Sequence, residues 1–162
     1  MALIVPFDGS SLSKTALVRA VQFDTVLKEG VVSVTAIPKN NAEYARERGW
    51  IDPTEPFDTD AVVSHLRNES EQIAPDAAFH HRFVDRYAPP GTVANRIRKF
   101  ARTNDASIVF IGSENAGRFV SRFTVGTSIA ADRAYDTMLI TNEKLPKITK
   151  LEDAAPAEDL LP

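Results

Sequence analysis

The sequence predicts an α/β fold in which a parallel sheet is covered on both faces by helices. Three observations carry this. Short runs rich in branched and apolar residues, such as Ala2–Phe7, Val31–Ile37 and Ser107–Ile111, alternate along the chain with segments of helical spacing. Those runs are apolar at successive positions, as strands are when both faces are buried. The chain has 162 residues, enough for one domain that buries ~70% of its unfolded surface without staples.

The elements follow in order. Ala2–Phe7 reads as the first strand and stops at Asp8-Gly9-Ser10-Ser11. Ser10 or Ser11 suits an N-cap, because its hydroxyl accepts from an orphan helix N–H. Ala16, Leu17, Ala20 and Val21 give a helix to about Leu27, with Gly30 as its C-cap or turn. Val31–Ile37 is the second strand. Pro38–Phe57 is a long irregular connection holding three of the ten prolines, the only tryptophan and a short polar helix candidate, Asn41–Arg48. Connections of this length tend to be functional or disordered. Asp58 or Thr59 caps a second main helix whose Val62, Leu66 and Ile73 share a face. Ala78–Asp85 is the third strand, broken by Pro89-Pro90-Gly91. Val93, Ile97, Phe100 and Ala101 form the inner face of a third helix, with Arg96, Arg98, Lys99 and Arg102 read as a solvated outer face. Ser107–Ile111 is the fourth strand, Thr127–Ala134 a fourth main helix and Thr137–Thr141 the fifth strand. Residues 1–142 therefore read as the domain. Residues 143–162 read as a tail, partly disordered, whose end, Leu151–Pro162, is rich in Ala, Pro and acidic residues.

Chemistry concentrates at two places. Ile108-Val-Phe-Ile-Gly112-Ser-Glu-Asn-Ala-Gly117 is followed by Gly126-Thr127-Ser128, and these hold three of the seven glycines. A strand end and a helix start joined in this way form an anion site. Gly112 and Gly117 let backbone approach a phosphate, while the N–H groups of Gly126, Thr127 and Ser128 are free at the helix start. The second place is Asp8. If the strands run 3-2-1 and then cross to 4-5, strands one and four are neighbours where the order reverses, and ligands of open parallel sheets bind beyond the strand ends there. Asp8 and Gly112 then line one crevice. Asp8 suits a ribose hydroxyl or base amine, and Ala36-Ile37 would wall a base. The plainer readings are a tight strand–helix turn for the glycines and a turn aspartate for Asp8. Tyr44 and Trp50 either close the long loop over a base or pack on the body.

Composition narrows the classes. With no cysteine there are no disulfides or thiolate metal sites, and a net charge of −3 argues against nucleic acid as partner. No apolar run approaches the ~20 residues of a membrane span. Asp8 and several serines stand where a signal peptide needs an apolar core, so a cytoplasmic location is expected. Gly112-x4-Gly117 is not a nucleotide P-loop, because Arg118-Phe119 supplies neither the lysine nor the hydroxyl that motif needs. His80 and His81 are adjacent on a strand and point to opposite faces, so no metal site is expected from them. No catalytic residue stands out either.

Three segments together resemble the universal stress protein family: Leu3-Ile-Val-Pro-Phe-Asp8-Gly-Ser with Ser13 and Ala16, Ile108-Val-Phe-Ile-Gly112-Ser, and Gly126-Thr127-Ser128 ahead of the fifth strand. The resemblance spans about residues 2–141. It implies a three-layer Rossmann-like fold of the adenine nucleotide alpha hydrolase-like kind. Such a fold has a five-stranded parallel sheet in order 3-2-1-4-5 with four main helices. It also implies a homodimer, pairing through the last strand, Thr137–Thr141. One branch of the family binds ATP, with a pattern Gly-x2-Gly-x9-Gly-Ser/Thr after strand four. Gly112 and Gly126-Thr127 match its ends; Asn115 stands at the second glycine, Gly117 is the nearest glycine, and the stretch is one residue longer. Asn tolerates left-handed φ best after glycine. By the same resemblance Pro6, Asp8, Ala36 and Ile111 fall at adenosine-side positions, while Gly112, Asn115, Gly117, Gly126, Thr127 and Ser128 fall at the phosphate side. The implied ligand is ATP or a related adenine nucleotide, with magnesium carried by the phosphates, and the implied role is stress-response regulation. Two alternatives stand beside it: an interaction dimer without nucleotide, and a slow ATPase using Glu43 or Glu47 as base.

Overall fold

A computed structural model describes residues 1–112, Ile129 and residues 132–143. Strands β1 (Ala2–Pro6), β2 (Val31–Pro38), β3 (Ala78–Val84), β4 (Ala106–Gly112) and β5 (Asp136–Ile140) form one sheet. Its order is β3-β2-β1-β4-β5 and every pairing is parallel. The helices are α1 (Ser11–Leu27), α2 (Ala42–Glu47), α3 (Thr59–Ile73) and α4 (Pro90–Thr103). The fold class and strand order expected from sequence are the ones observed. Of the expected helix 127–134, only Ile129 and 132–134 lie among the described residues. Residues 132–134 are not helical; they form an irregular segment ahead of β5.

The period of two along each strand sorts the core into two layers. Leu3, Val5 and Phe7 face the α1 and α3 side and pack with Leu17, Leu66 and Phe110. Ile4, Val34 and Val109 face the other side, against Val93, Ile97 and Phe100 of α4. Leu3, Ile4 and Phe110 are fully buried, and each such side chain contributes ~1.5–3 kcal/mol.

The helix ends follow local chemistry. Ser10 caps α1 by accepting from Ser13 N–H at 3.2 Å. Lys28, rather than Gly30, is the left-handed C-cap of α1, at φ 54°. Asp58 caps α3 and Asn41 caps α2. Pro90 opens α4 at its first position, where the missing N–H costs nothing.

Two contacts bear on the site. An ideal Cβ on Gly112 would lie 2.0 Å from the carbonyl oxygen of Leu12, so β4 ends against the first turn of α1 where no side chain fits. The second contact corrects the reading of Arg98 and Arg102 as solvated. Arg98 Nε donates to Asp132 Oδ2 at 3.2 Å, and Arg102 pairs with the same oxygen. The Asp132 side chain is only 4% exposed. This clamp ties α4 to the segment that leads into β5.

Candidate functional site

The carboxyl ends of β1, β2 and β4 open into a crevice of about 710 Å³, part of it open to solvent. It lies where the strand order reverses between β1 and β4. Pro6, Phe7 and Asp8 contribute from β1 and its exit, Val34, Thr35 and Ala36 from β2, Ile111 and Gly112 from β4. Val93 and Ile97 of α4, with Ile129, add an apolar side.

The sequence-named positions Pro6, Asp8, Ala36, Ile111 and Gly112 therefore come together in one crevice. Asn115, Gly117, Gly126, Thr127 and Ser128 lie outside the described residues. Ile37 is not in the crevice. It alternates away from Ala36 into the α1 and α3 layer and is fully buried there. Gly112 has a packing reason, the Leu12 carbonyl, that needs no phosphate.

Asp8 is held in a turn. Its Oδ1 accepts from Ser10 N–H at 2.9 Å, and its own N–H donates to Ser13 Oγ at 3.4 Å. Oδ1 makes the turn, while Oδ2 accepts no hydrogen bond among the described residues. Thr35 Oγ1 donates to the Phe7 carbonyl at 2.5 Å and ties the ends of β1 and β2 together.

The long connection after β2 supplies a wall that the sequence reading leaves open. Trp50 is 4% exposed and packs in the core, yet it also lines the crevice beside Tyr44 and Arg48. Its Nε1 donates to the Asp8 carbonyl at 2.7 Å, which pins the connection to the exit of β1. Trp50 thus packs on the body and also forms part of the crevice wall. Burial raises the Tyr44 phenol above its usual pKa, the Arg48 guanidinium opposes this, and the Asp8 carboxylate adds to it. Arg48 is missed by the sequence reading. The usable signal is that Tyr44 and Arg48 are four apart in a helical segment and so share a face.

At the β4–β5 side the Asp132 clamp sets the electrostatics. The Ala134 N–H, at 2.9 Å, is foremost in holding the Asp132 carboxyl below the usual carboxylate range. Arg98 and Arg102 add to this, against the opposing effect of burial. Tyr135 donates to the Ile129 carbonyl at 2.8 Å, and burial, helped by the Asp132 charge, pushes its phenol up to about 12.

The remaining candidates fall elsewhere. His80 lies 5.5 Å from the Phe100 ring and His81 5.1 Å from Phe83, on opposite faces of β3. Glu43 and Glu47 are exposed and do not line the crevice. Among the described residues no helix is long and apolar enough to cross a membrane.

An open parallel sheet with a crevice at its switch point defines a class, the doubly wound α/β proteins. Among them, the chain carries the fold of universal stress proteins. It is similar to a universal stress protein in complex with cAMP, at TM-score 0.57 and 17% identity, over 86% of this chain and 95% of that one. It is similar to a member of the universal stress protein family from Burkholderia pseudomallei, at TM-score 0.51 and 19% identity, over 87% and 96%. A hypothetical protein whose structure was used to assign its biochemical function matches at TM-score 0.52 and 17% identity, over 86% and 94%. No protein-family model and no curated protein sequence matches the chain.

Proposed function

We propose that this chain is a universal stress protein that binds an adenine nucleotide in the β1–β4 crevice and acts as a dimeric regulator. The observation that carries the proposal is the meeting of Pro6, Asp8, Ala36, Ile111 and Gly112, drawn from three strands, around one crevice. The cAMP complex of a protein of the same fold supports an adenine nucleotide as the ligand class. In this reading Asp8 Oδ2 accepts from the nucleoside. The phosphates, of ATP or a smaller nucleotide, meet Asn115, Gly117, Gly126, Thr127 and Ser128. Asp8 is the one carboxylate among the described lining residues, so magnesium would be held through the phosphates. Among the described lining residues Asp8 is the one side chain that could act as a general base, and in this reading it is engaged by the nucleoside, so slow hydrolysis at most is expected.

The homodimer is proposed through β5. Among the described residues β5 pairs only with β4, so its other edge can accept a second strand. Leu139 is part-buried, whereas Ile140 is 1% exposed in the core. Leu139→Lys therefore tests the interface by sedimentation, with monomers expected. A substitution at Ile140 would test folding instead.

Denaturing the purified protein and chromatographing the supernatant tests the ligand. Adenine nucleotide near one per chain is the expected result. Protein without nucleotide should gain ~2.7 kcal/mol at a hundred times Kd of ATP and magnesium. No released nucleotide together with no thermal shift sinks the nucleotide reading. The interaction dimer would then be favoured, and the packing reason for Gly112 already speaks for it.

A further inference from the structure

The wall that the α2 segment adds to the crevice is a stack of flat groups. The Arg48 guanidinium carbon lies 3.3 Å from the centroid of the Tyr44 ring. Arg48 Nη1 also reaches the Tyr44 carbonyl, at 3.5 Å. The Trp50 ring meets Tyr44 edge-on, with centroids 5.6 Å apart. All three line the crevice.

This wall is fixed from both sides. Trp50 Nε1 is bonded to the Asp8 carbonyl at 2.7 Å. Asn41 accepts from Tyr44 N–H at 3.0 Å and donates to the Arg86 carbonyl at 2.6 Å. Arg48 makes no ion pair among the described residues. One face of its guanidinium is taken up by the Tyr44 ring, and no carboxylate competes for its plane. Guanidinium is weakly hydrated and stacks on aromatic rings and nucleobases, which a lysine ammonium does not.

We propose that Arg48 is the stacking platform for the base of the bound nucleotide, completing a layer of Tyr44 phenol, Arg48 guanidinium and purine. This rests on the adenine-nucleotide reading above and deepens it: recognition of the base comes from the connection after β2, not only from the strand ends. The apolar side chains of Ala36, Val93 and Ile97 are available to the rest of a flat bicyclic ring. A phosphate is the poorer occupant of this wall, because the Asp8 carboxylate shares the crevice with Arg48 and repels it.

The test uses the full chain freed of ligand and titrated with adenosine, AMP, ATP and uridine by calorimetry. Trp50, the only tryptophan, gives a second readout by its fluorescence. Arg48→Ala and Arg48→Lys are expected to weaken adenosine and AMP by the same factor, about tenfold, since base stacking is of that order. Both should also narrow the preference for adenosine over uridine. Wild-type affinity in Arg48→Lys, or a loss confined to the phosphorylated ligands, overturns the stacking role while leaving the nucleotide site standing. If the wild-type chain binds none of the adenine compounds, the nucleotide reading itself falls and the stacking role with it. Arg48 is exposed, and equal melting temperatures of the free variants separate lost binding from lost folding.

Discussion

The two sides of the crevice are held by different physics. On the β1–β2 side the ties are mostly neutral: Thr35 to the Phe7 carbonyl, Trp50 to the Asp8 carbonyl, and the turn of Asp8 on Ser10. On the β4–β5 side the tie is ionic, one buried carboxylate between two arginines of α4. Neutral hydrogen bonds to backbone keep their strength across pH and salt. A carboxylate clamp does not. The side that would meet the base is thus fixed in shape, and the side that follows the glycine segment carries a titratable fastener.

The largest expected effect breaks the neutral side. Trp50→Ala removes a buried ring and its bond to Asp8, and should cost ~3–5 kcal/mol in denaturant unfolding. The wall formed by Tyr44 and Arg48 should loosen with it. Next comes Gly112→Ala, whose Cβ would collide with the Leu12 carbonyl. We expect ~1–3 kcal/mol of destabilisation in ligand-free protein, as in other overpacked sites. A full-strength fold in Gly112→Ala would show that the glycine is there for a ligand instead.

Asp132→Asn tests the ionic side. With Arg102 half exposed, we expect only about 1–2 kcal/mol at neutral pH. The folded-state pKa of Asp132 is lowered, so its contribution is present above the unfolded carboxylate range and is lost as pH falls through the folded value. The gap between wild type and Asp132→Asn should therefore close in acid, measured by unfolding at successive pH values. A pH-independent gap would mean that packing, not charge, holds the clamp. Trp50→Phe keeps one aromatic ring but loses the pyrrole half of the indole and its hydrogen bond, for about 1–3 kcal/mol with no pH dependence.

The parallel sheet was legible because branched apolar runs alternate with helical spacing, whereas its order came from the family resemblance carried by the segments around Asp8, Gly112 and Gly126. Less legible was anything set by contacts distant in sequence. Arg98 and Arg102 look solvated on a helical wheel, and only the fold brings Asp132 beneath them. Gly112 reads as a phosphate glycine, since nothing local announces the Leu12 carbonyl. Lys28 takes the left-handed cap in place of Gly30 because the Asp24 carboxylate receives the N–H groups of Glu29 and Gly30 and carries the turn itself. The Tyr44–Arg48 wall hides in a connection whose prolines make it look irregular.

One feature of the sheet bears on how the chain is made. The first strand, β1, sits at its centre, paired with β2 on one side and β4 on the other. During synthesis its second edge stays open until Ala106–Gly112 has left the ribosome. At ~5–20 residues per second that is an interval of several seconds with an apolar strand edge exposed. A nascent chain halted before residue 106 should bind chaperone, and one released past β5 should not.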